Sequence, residues 1–236
     1  MGARRLALAA ALMAALAAPT AATLWAWTPS GDDVQARVEA IARARGTTVL
    51  RPDEVPSQLA DAVIAIEDER FYQHHGIDSL GLGRAILYDV TNACLCQGGS
   101  TITQQLVKAV YLGGSDRGYN KLEAMVLALK VERLLTKRQI LALYLSEITT
   151  GFGRYGVAAA ACAYFHSPLE RLTLGQYALL AGVTQAPSVY DPTVNPDLAQ
   201  QRRAQVLAQM VSERYISSAQ ADAANAEPVL SEGAGC

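Results

Sequence analysis

Gly98-Gly99-Ser100-Thr101-Ile102-Thr103-Gln104-Gln105-Leu106-Val107-Lys108 lies near the middle of the 236-residue chain, and its spelling sets the fold class. Thr101 with Gln104 spells a capping box, in which hydroxyl and amide each satisfy the other's backbone N–H at a helix start. The paired glycines ahead of it let backbone approach a ligand closely, and the free N–H groups of a helix N-terminus suit an anion. Gln104 and Lys108 are four apart and share a helix face, so an amide and a cation point the same way. The stretch lacks the Gly-Lys-Ser/Thr ending of a nucleotide-binding loop. A loop followed by a capped helix is the plain structural alternative. It leaves unexplained two glycines, three hydroxyls and two glutamines in eight residues.

Working outward, the same capping spelling recurs at Thr136/Gln139, Thr173/Gln176 and Ser217/Gln220. Asn195-Pro196 places proline at a first helical position and opens a helix running to about Glu213. Ser57, after Pro56, leads into Leu59, Val63 and Ile66 at one-face spacing. Glycines at Gly98-Gly99, Gly113-Gly114 and Gly151-Phe152-Gly153 separate these helices. Thr47 to Leu50 is the only strand expected. Pro29 to Arg51 carries charge and no long apolar face, so it reads as a connector with one short helix. The expectation is an all-α domain over 55–236, a connector over 29–54 and an N-terminal segment over 1–28. The chain is 51% hydrophobic and 18% charged, with a net charge of -2. That charge offers no bulk attraction to nucleic acid, so any anionic substrate must be met by locally placed lysines and arginines.

Arg4 and Arg5 precede a charge-free apolar run from Leu6 to Trp27. A helix of that length just crosses a hydrocarbon core roughly 30 Å thick. The arginines would stay cytoplasmic, and Trp25 and Trp27 suit the far interface. The competing reading is a signal peptide cleaved near Thr20-Ala21-Ala22, with Pro19 disturbing the helix. Length and aromatic placement favour a retained single-pass anchor in the inner (cytoplasmic) membrane, and both readings put the domain on its periplasmic or extracellular side. Four cysteines are too few and too oddly spaced for a disulfide scaffold. Cys94-Leu95-Cys96 is not a zinc spacing, although one of the pair could bridge to another cysteine in an exported protein. Cys162, in an alanine-rich stretch, reads as a buried small residue. Cys236 does not end a prenylation signal.

A second cluster, Ile66-Glu67-Asp68-Glu69-Arg70-Phe71-Tyr72-Gln73-His74-His75-Gly76-Ile77-Asp78, gathers acids, aromatics and histidines at the end of an apolar helix. Glu67 directly follows the apolar face, where partial burial readies a carboxylate for proton transfer. The plain alternative is a solvated helix end. His74 and His75 are adjacent, do not share a face, and read as hydrogen-bonding loop residues rather than metal ligands.

These two clusters, in wording and separation, resemble the first two motifs of the family-51 glycosyltransferases, the peptidoglycan transglycosylases. The likeness continues through Lys137-Arg138-Gln139-Ile140-Leu141-Ala142-Leu143-Tyr144-Leu145, Tyr155 to Ala160, Tyr164-Phe165-His166, Leu172-Thr173-Leu174 and Ala181 to Ser188. It covers about Val55 to Gln209. The resemblance implies a lysozyme-like helical fold with a membrane-facing apolar side. It implies lipid II and the growing glycan strand as substrates, β-1,4 linkage with inversion, and cell-wall synthesis proteins as partners. By position, Glu67 is the base; Glu123, one place before the position of the family's second glutamate, is the candidate second catalytic carboxylate. Asp68, Phe71, Ser100, Thr101, Gln104, Gln105, Lys108, Arg117 and Lys121 are the substrate-binding residues. A divalent cation (Mg or Mn) or side-chain cations would stabilise the leaving diphosphate, and no organic cofactor is implied.

The departures from the family pattern fall mainly on one side of the cleft. Ala124 stands where a second glutamate is usual, with Glu123 one place earlier and about 100° round the helix. Asp116 and Asn120 stand in place of arginines, with Arg117 beside the first. Ala142 and Ser146 replace glutamate and asparagine, and Ser167 replaces a lysine. Three readings follow. The leading one is a glycan polymerase without a transpeptidase domain, in which Glu123 partly compensates. The second is a catalytically degenerate relative that binds lipid II or a partner enzyme. A lytic, muramidase-like enzyme is the third, and the Gly98–Gln105 string opposes it.

Overall fold

The computed structural model describes residues 19–20, 22–92, 99–115, 118–151, 153–230 and 235–236. After a helical stretch over 22–27 come α1 (Val34–Arg45), α2 (Ser57–Glu67), α3 (Ser79–Asn92), α4 (Ile102–Tyr111), α5 (Tyr119–Leu134) and α6 (Lys137–Glu147). A small antiparallel pair follows, β1 (Thr149–Gly151) and β2 (Arg154–Tyr155). Then come α7 (Val157–Phe165), a 3-10 turn over Leu169–Arg171, α8 (Leu174–Val183), α9 (Pro196–Ser212) and α10 (Ser218–Asn225). The fold is mainly helical, as the sequence leads one to expect.

Four of the helices start as their spelling dictates. Thr101, Thr136, Thr173 and Ser217 each accept the backbone N–H of the glutamine three residues on, whose amide returns to the cap N–H. Each box satisfies two donors that a helix start otherwise leaves bare. α9 opens with Pro196 behind Asn195.

The core is built around α8, whose residues from Gly175 to Val183 are all buried. α2 and α9 pack against it, and α4 packs against α5 and α6. α2 supplies Leu59, Ala62, Val63, Ile64 and Ala65 to this core. Each large aliphatic side chain so buried contributes about 1.5–3 kcal/mol. Gly182 lets α9 come in closely, because a Cβ there would lie 2.8 Å from Arg202 Cγ.

Three local expectations change. Thr47 to Leu50 is extended but finds no partner strand. Its hydrogen bonds go instead from Thr47 N to Ala42 O (2.9 Å) and from Leu50 N to Ser146 Oγ (2.9 Å). The strands lie at β1 and β2, where glycines were read only as spacers. The stretch expected to be a connector contributes the twelve-residue helix α1, which buries Val34, Val38 and Ala42 at four-residue spacing. Cys162 is not a lone buried residue: it is half-buried and disulfide-bonded to Cys236. The bond crosses 74 residues of sequence, so no local spacing signals it; Gly235 N donates to His166 O and brings the cysteines together. Cys94 and Cys96 lie outside the described residues.

The expected anchor falls largely on residues outside those described, and no helix among the described residues is long and apolar enough to cross a membrane. The end of the 22–27 stretch is held firmly. Lys130 Nζ donates to the carbonyls of Trp25 (2.7 Å), Thr28 (2.7 Å) and Pro29 (3.1 Å). The indole of Trp25 lies under both Lys130 and Arg133.

Gly76 joins the site loop to the core. Its φ is +92°, and a Cβ would lie 2.7 Å from the Ala128 carbonyl carbon in α5. The Gly76 carbonyl accepts the Thr101 hydroxyl at 2.8 Å, so the loop is wedged between α4 and α5. Gly76→Ala combines left-handed strain with a backbone clash and should cost at least about 2 kcal/mol in urea unfolding. A loss below about 0.5 kcal/mol would mean that the loop does not bear on α5.

Candidate active site

The apolar face of α2 runs out at Glu67, its last residue, and the chain turns sharply at Asp68, whose φ is -159° and ψ is 69°. The helix delivers a half-buried carboxylate to its own end. Gln105 Nε2, from the second turn of α4, donates to Glu67 Oε2 at 2.8 Å. Tyr144 on α6 donates its hydroxyl to Gln105 Oε1 at 3.2 Å, which orients the amide with its nitrogen toward Glu67. Burial, and next the charge of Glu67, hold the Tyr144 phenol well above its ordinary value, so it remains a donor. Thr184 Oγ1 lies 3.4 Å from Glu67 Oε1 but gives its proton to Ala181 O at 2.7 Å. Oε1 is therefore the less engaged oxygen of the pair.

Glu67 lines one cavity, and the residues that hydrogen-bond to it line a second. The first, of about 490 Å³, is lined by Glu67, Asp68, Ser100, Thr101, Gln185 and Arg202 among others. The second, of about 440 Å³, includes Gln105, Tyr144 and Thr184, the residues that surround Glu67, together with Lys108, Arg45 and Glu147. Arg202 is buried yet faces no carboxylate in an ion pair among the described residues. Burial lowers its affinity for the proton, and the nearby charge of Glu67 opposes that shift. Nε donates to Gly182 O (3.3 Å) and Nη1 to Gln205 Oε1 (3.0 Å).

Asp68 is committed to structure. Its Oδ2 accepts Ile102 N–H at the head of α4 (3.0 Å), and Oδ1 accepts from His74 Nε2 (2.9 Å). Phe71 is fully buried beneath, edge-on to His74 and under the Lys137 ammonium, and does not line either cavity. Gln104 turns back into its capping box and is buried, so Gln105, one residue on, faces Glu67. The expected common face of Gln104 and Lys108 yields to the capping geometry. Lys108 lines the second cavity. Lys121 is exposed on α5; Glu123 is half-buried there and lines neither cavity, while Ala124 is in the core. Arg117 lies outside the described residues. Ser146 is buried and ties Leu50 to α6, which gives the unusual serine a local structural role. Sequence reading missed Arg45, Tyr144, Thr184 and Arg202 as site residues, although Tyr144 and Thr184 lie within strings that carried the resemblance.

A half-buried carboxylate steadied by an amide in the wall of a polar cavity, on a helical scaffold, is the arrangement of a proton-transfer site. A profile described as "Transglycosylase" matches residues 32–211. The chain belongs to that transglycosylase family. It is 44% identical over 181 residues to penicillin-binding protein 1A of Vibrio cholerae, covering 77% of this chain and 22% of that protein. A putative transglycosylase of Cupriavidus necator is 43% identical over 176 residues, covering 75% of this chain and 76% of that one. The crystal structure of penicillin-binding protein 1A from Haemophilus influenzae aligns with 77% of this chain and 17% of its own, at 27% identity and a TM-score of 0.46. The chain thus spans about a fifth of the length of its penicillin-binding relatives.

Replacing Asp68 by alanine strips the acceptor from the Ile102 N–H and from His74, both buried. We expect a loss of about 3 kcal/mol in urea unfolding, because two donors are orphaned. A loss under about 1 kcal/mol would assign Asp68 to substrate handling rather than to holding α4.

Proposed function

We propose that the protein polymerises lipid II into β-1,4 glycan strands at the outer face of the cytoplasmic membrane, with Glu67 as the base. The observation that carries this reading is the place of Glu67 in the wall of the first cavity, with Oε2 held by Gln105, a residue of the second, and Oε1 the less engaged oxygen. Family membership supports glycosyl transfer as the reaction class. The 4-hydroxyl of the acceptor sugar gives its proton to Oε1 while its oxygen attacks C1 of the lipid-linked donor. The C1–O bond to the diphosphate breaks with inversion, and its electron pair leaves with the diphosphate.

Charge supports the placement of the two substrates. The first cavity carries the carboxylates of Glu67, Asp68, Glu69 and Asp78 against Arg84 and Arg202, an acidic lining that disfavours the leaving diphosphate there. The second carries Arg45 and Lys108 against Glu147 and suits the anionic donor. A divalent cation at the diphosphate would be held in part by the diphosphate's own oxygens, and no group of three or more His, Cys, Asp or Glu side chains lies together among the described residues. The steps above use side chains alone.

A second reading, lipid II binding without turnover, is favoured by one observation: Glu123 lines neither cavity and Ala124 is buried. Labelled lipid II separates the two. Wild type should yield polymer on a gel, and Glu67→Gln should lower the rate about 10²- to 10⁴-fold with an unchanged melting curve. Lipid II binding with no polymer from wild type would select the second reading; normal polymerisation by Glu67→Gln would remove Glu67 as base.

A further inference from the structure

We propose that Arg45, at the end of α1, is a donor-side cation that takes the diphosphate of the lipid-linked substrate in the second cavity. Glu147 and Tyr155 hold it in place. The identity of the substrate rests on the function proposed above; the anion site itself does not.

Arg45 enters the cavity from a segment that the sequence presents as a connector. Its Nη1 donates to Glu147 Oε1 at 2.5 Å, and its guanidinium carbon sits 3.5 Å from the centroid of the Tyr155 ring. These two contacts fix the plane of the group without using it up. Nε and Nη2 make no hydrogen bond among the described residues, and the side chain is 31% exposed while that of Glu147 is 4% exposed. A planar fork with one edge anchored and the other open is suited to two oxygens of a phosphate. Burial raises the proton affinity of Glu147, and the hydrogen bond and charge of Arg45 oppose that shift.

Arg45 is one of the two cationic side chains that line the second cavity, and Glu147 is the carboxylate among that lining. The sequence offers no cation at Asp116 or Asn120, where the family pattern leads one to expect arginine. Arg45 restores positive charge from a different part of the chain. When the C1–O bond breaks, negative charge accumulates on the diphosphate oxygen, and a positioned guanidinium stabilises it without reorganising.

The alternative is that Arg45 serves only to neutralise Glu147 and fasten α1 to α6. Full-length protein in detergent distinguishes these, using titration calorimetry with inorganic pyrophosphate and the rate on labelled lipid II. Arg45→Gln should weaken pyrophosphate binding about tenfold or more, the loss expected for charge-assisted hydrogen bonds. The double variant Arg45→Gln with Glu147→Gln, which leaves no unpaired charge, should remain equally weak. Glu147→Gln alone should bind at least as tightly as wild type. Recovery of wild-type pyrophosphate binding in the double variant overturns the proposal. If neither glutamine variant folds, Arg45→Lys carries the test, since it keeps the charge beside Glu147 and loses the fork. Undiminished pyrophosphate binding by that variant overturns the proposal too. Wild type that binds pyrophosphate through Arg45 but makes no glycan refutes the polymerase reading and leaves the anion site standing. Wild type that makes glycan with no dependence on Arg45 does the reverse.

Discussion

Two donors converge on the Asp68 carboxylate: the backbone N–H of Ile102 and Nε2 of His74. The first belongs to the start of one helix and the second to the loop leaving another, so this one side chain sets the distance between α2 and α4. An anion at a helix N-terminus is favoured by the bare N–H groups and by the dipole. With that distance set, Gln105 falls one turn into α4 at 2.8 Å from Glu67. The wedge of Gly76 against α5 and the Thr101 hydroxyl on its carbonyl brace the same joint from the other side. The setting of Glu67 thus follows from a residue that looks, in sequence, like one more acid in an acidic cluster.

The buried cations follow a related rule. Arg203 is fully buried and donates to the carbonyls of Asn225, Glu227 and Pro228, where α10 ends. Lys130 does the same for the carbonyls of Trp25, Thr28 and Pro29. Carbonyls at helix ends lack intrahelical partners, so a buried cation there satisfies orphan acceptors and finds partial negative charge. Lys137 instead meets Glu132, which also accepts the Thr103 hydroxyl. Arg202 stands apart, with one carbonyl, one amide and an approach to the carboxylate of Glu67.

Much of this architecture can be read from local spelling. Capping boxes at Thr101, Thr136, Thr173 and Ser217 are interactions across three residues, and all four are present in the structure. Glu67 was legible because an apolar helix ends on it. Contacts made at long range were not legible. Arg45 meets Glu147 across 102 positions, and Cys162 meets Cys236 across 74. α1 was underestimated because three buried residues at four-residue spacing, Val34, Val38 and Ala42, form only a narrow apolar stripe among charges. The choice between Gln104 and Gln105 turned on competition: the capping box claims the first amide, and only the second is free to reach across.

The clamp of Lys130 on the carbonyls of Trp25, Thr28 and Pro29 has a directional consequence. A tether that leaves a domain through one rotatable bond lets the body tumble over a wide cone. Here the segment is pinned at three points within five residues, and the cations of Lys130 and Arg133 both lie over the indole of Trp25. The described stretch from Ala22 to Pro29 is therefore held in one orientation relative to α5, and a load applied to it passes into that helix rather than into a swivel.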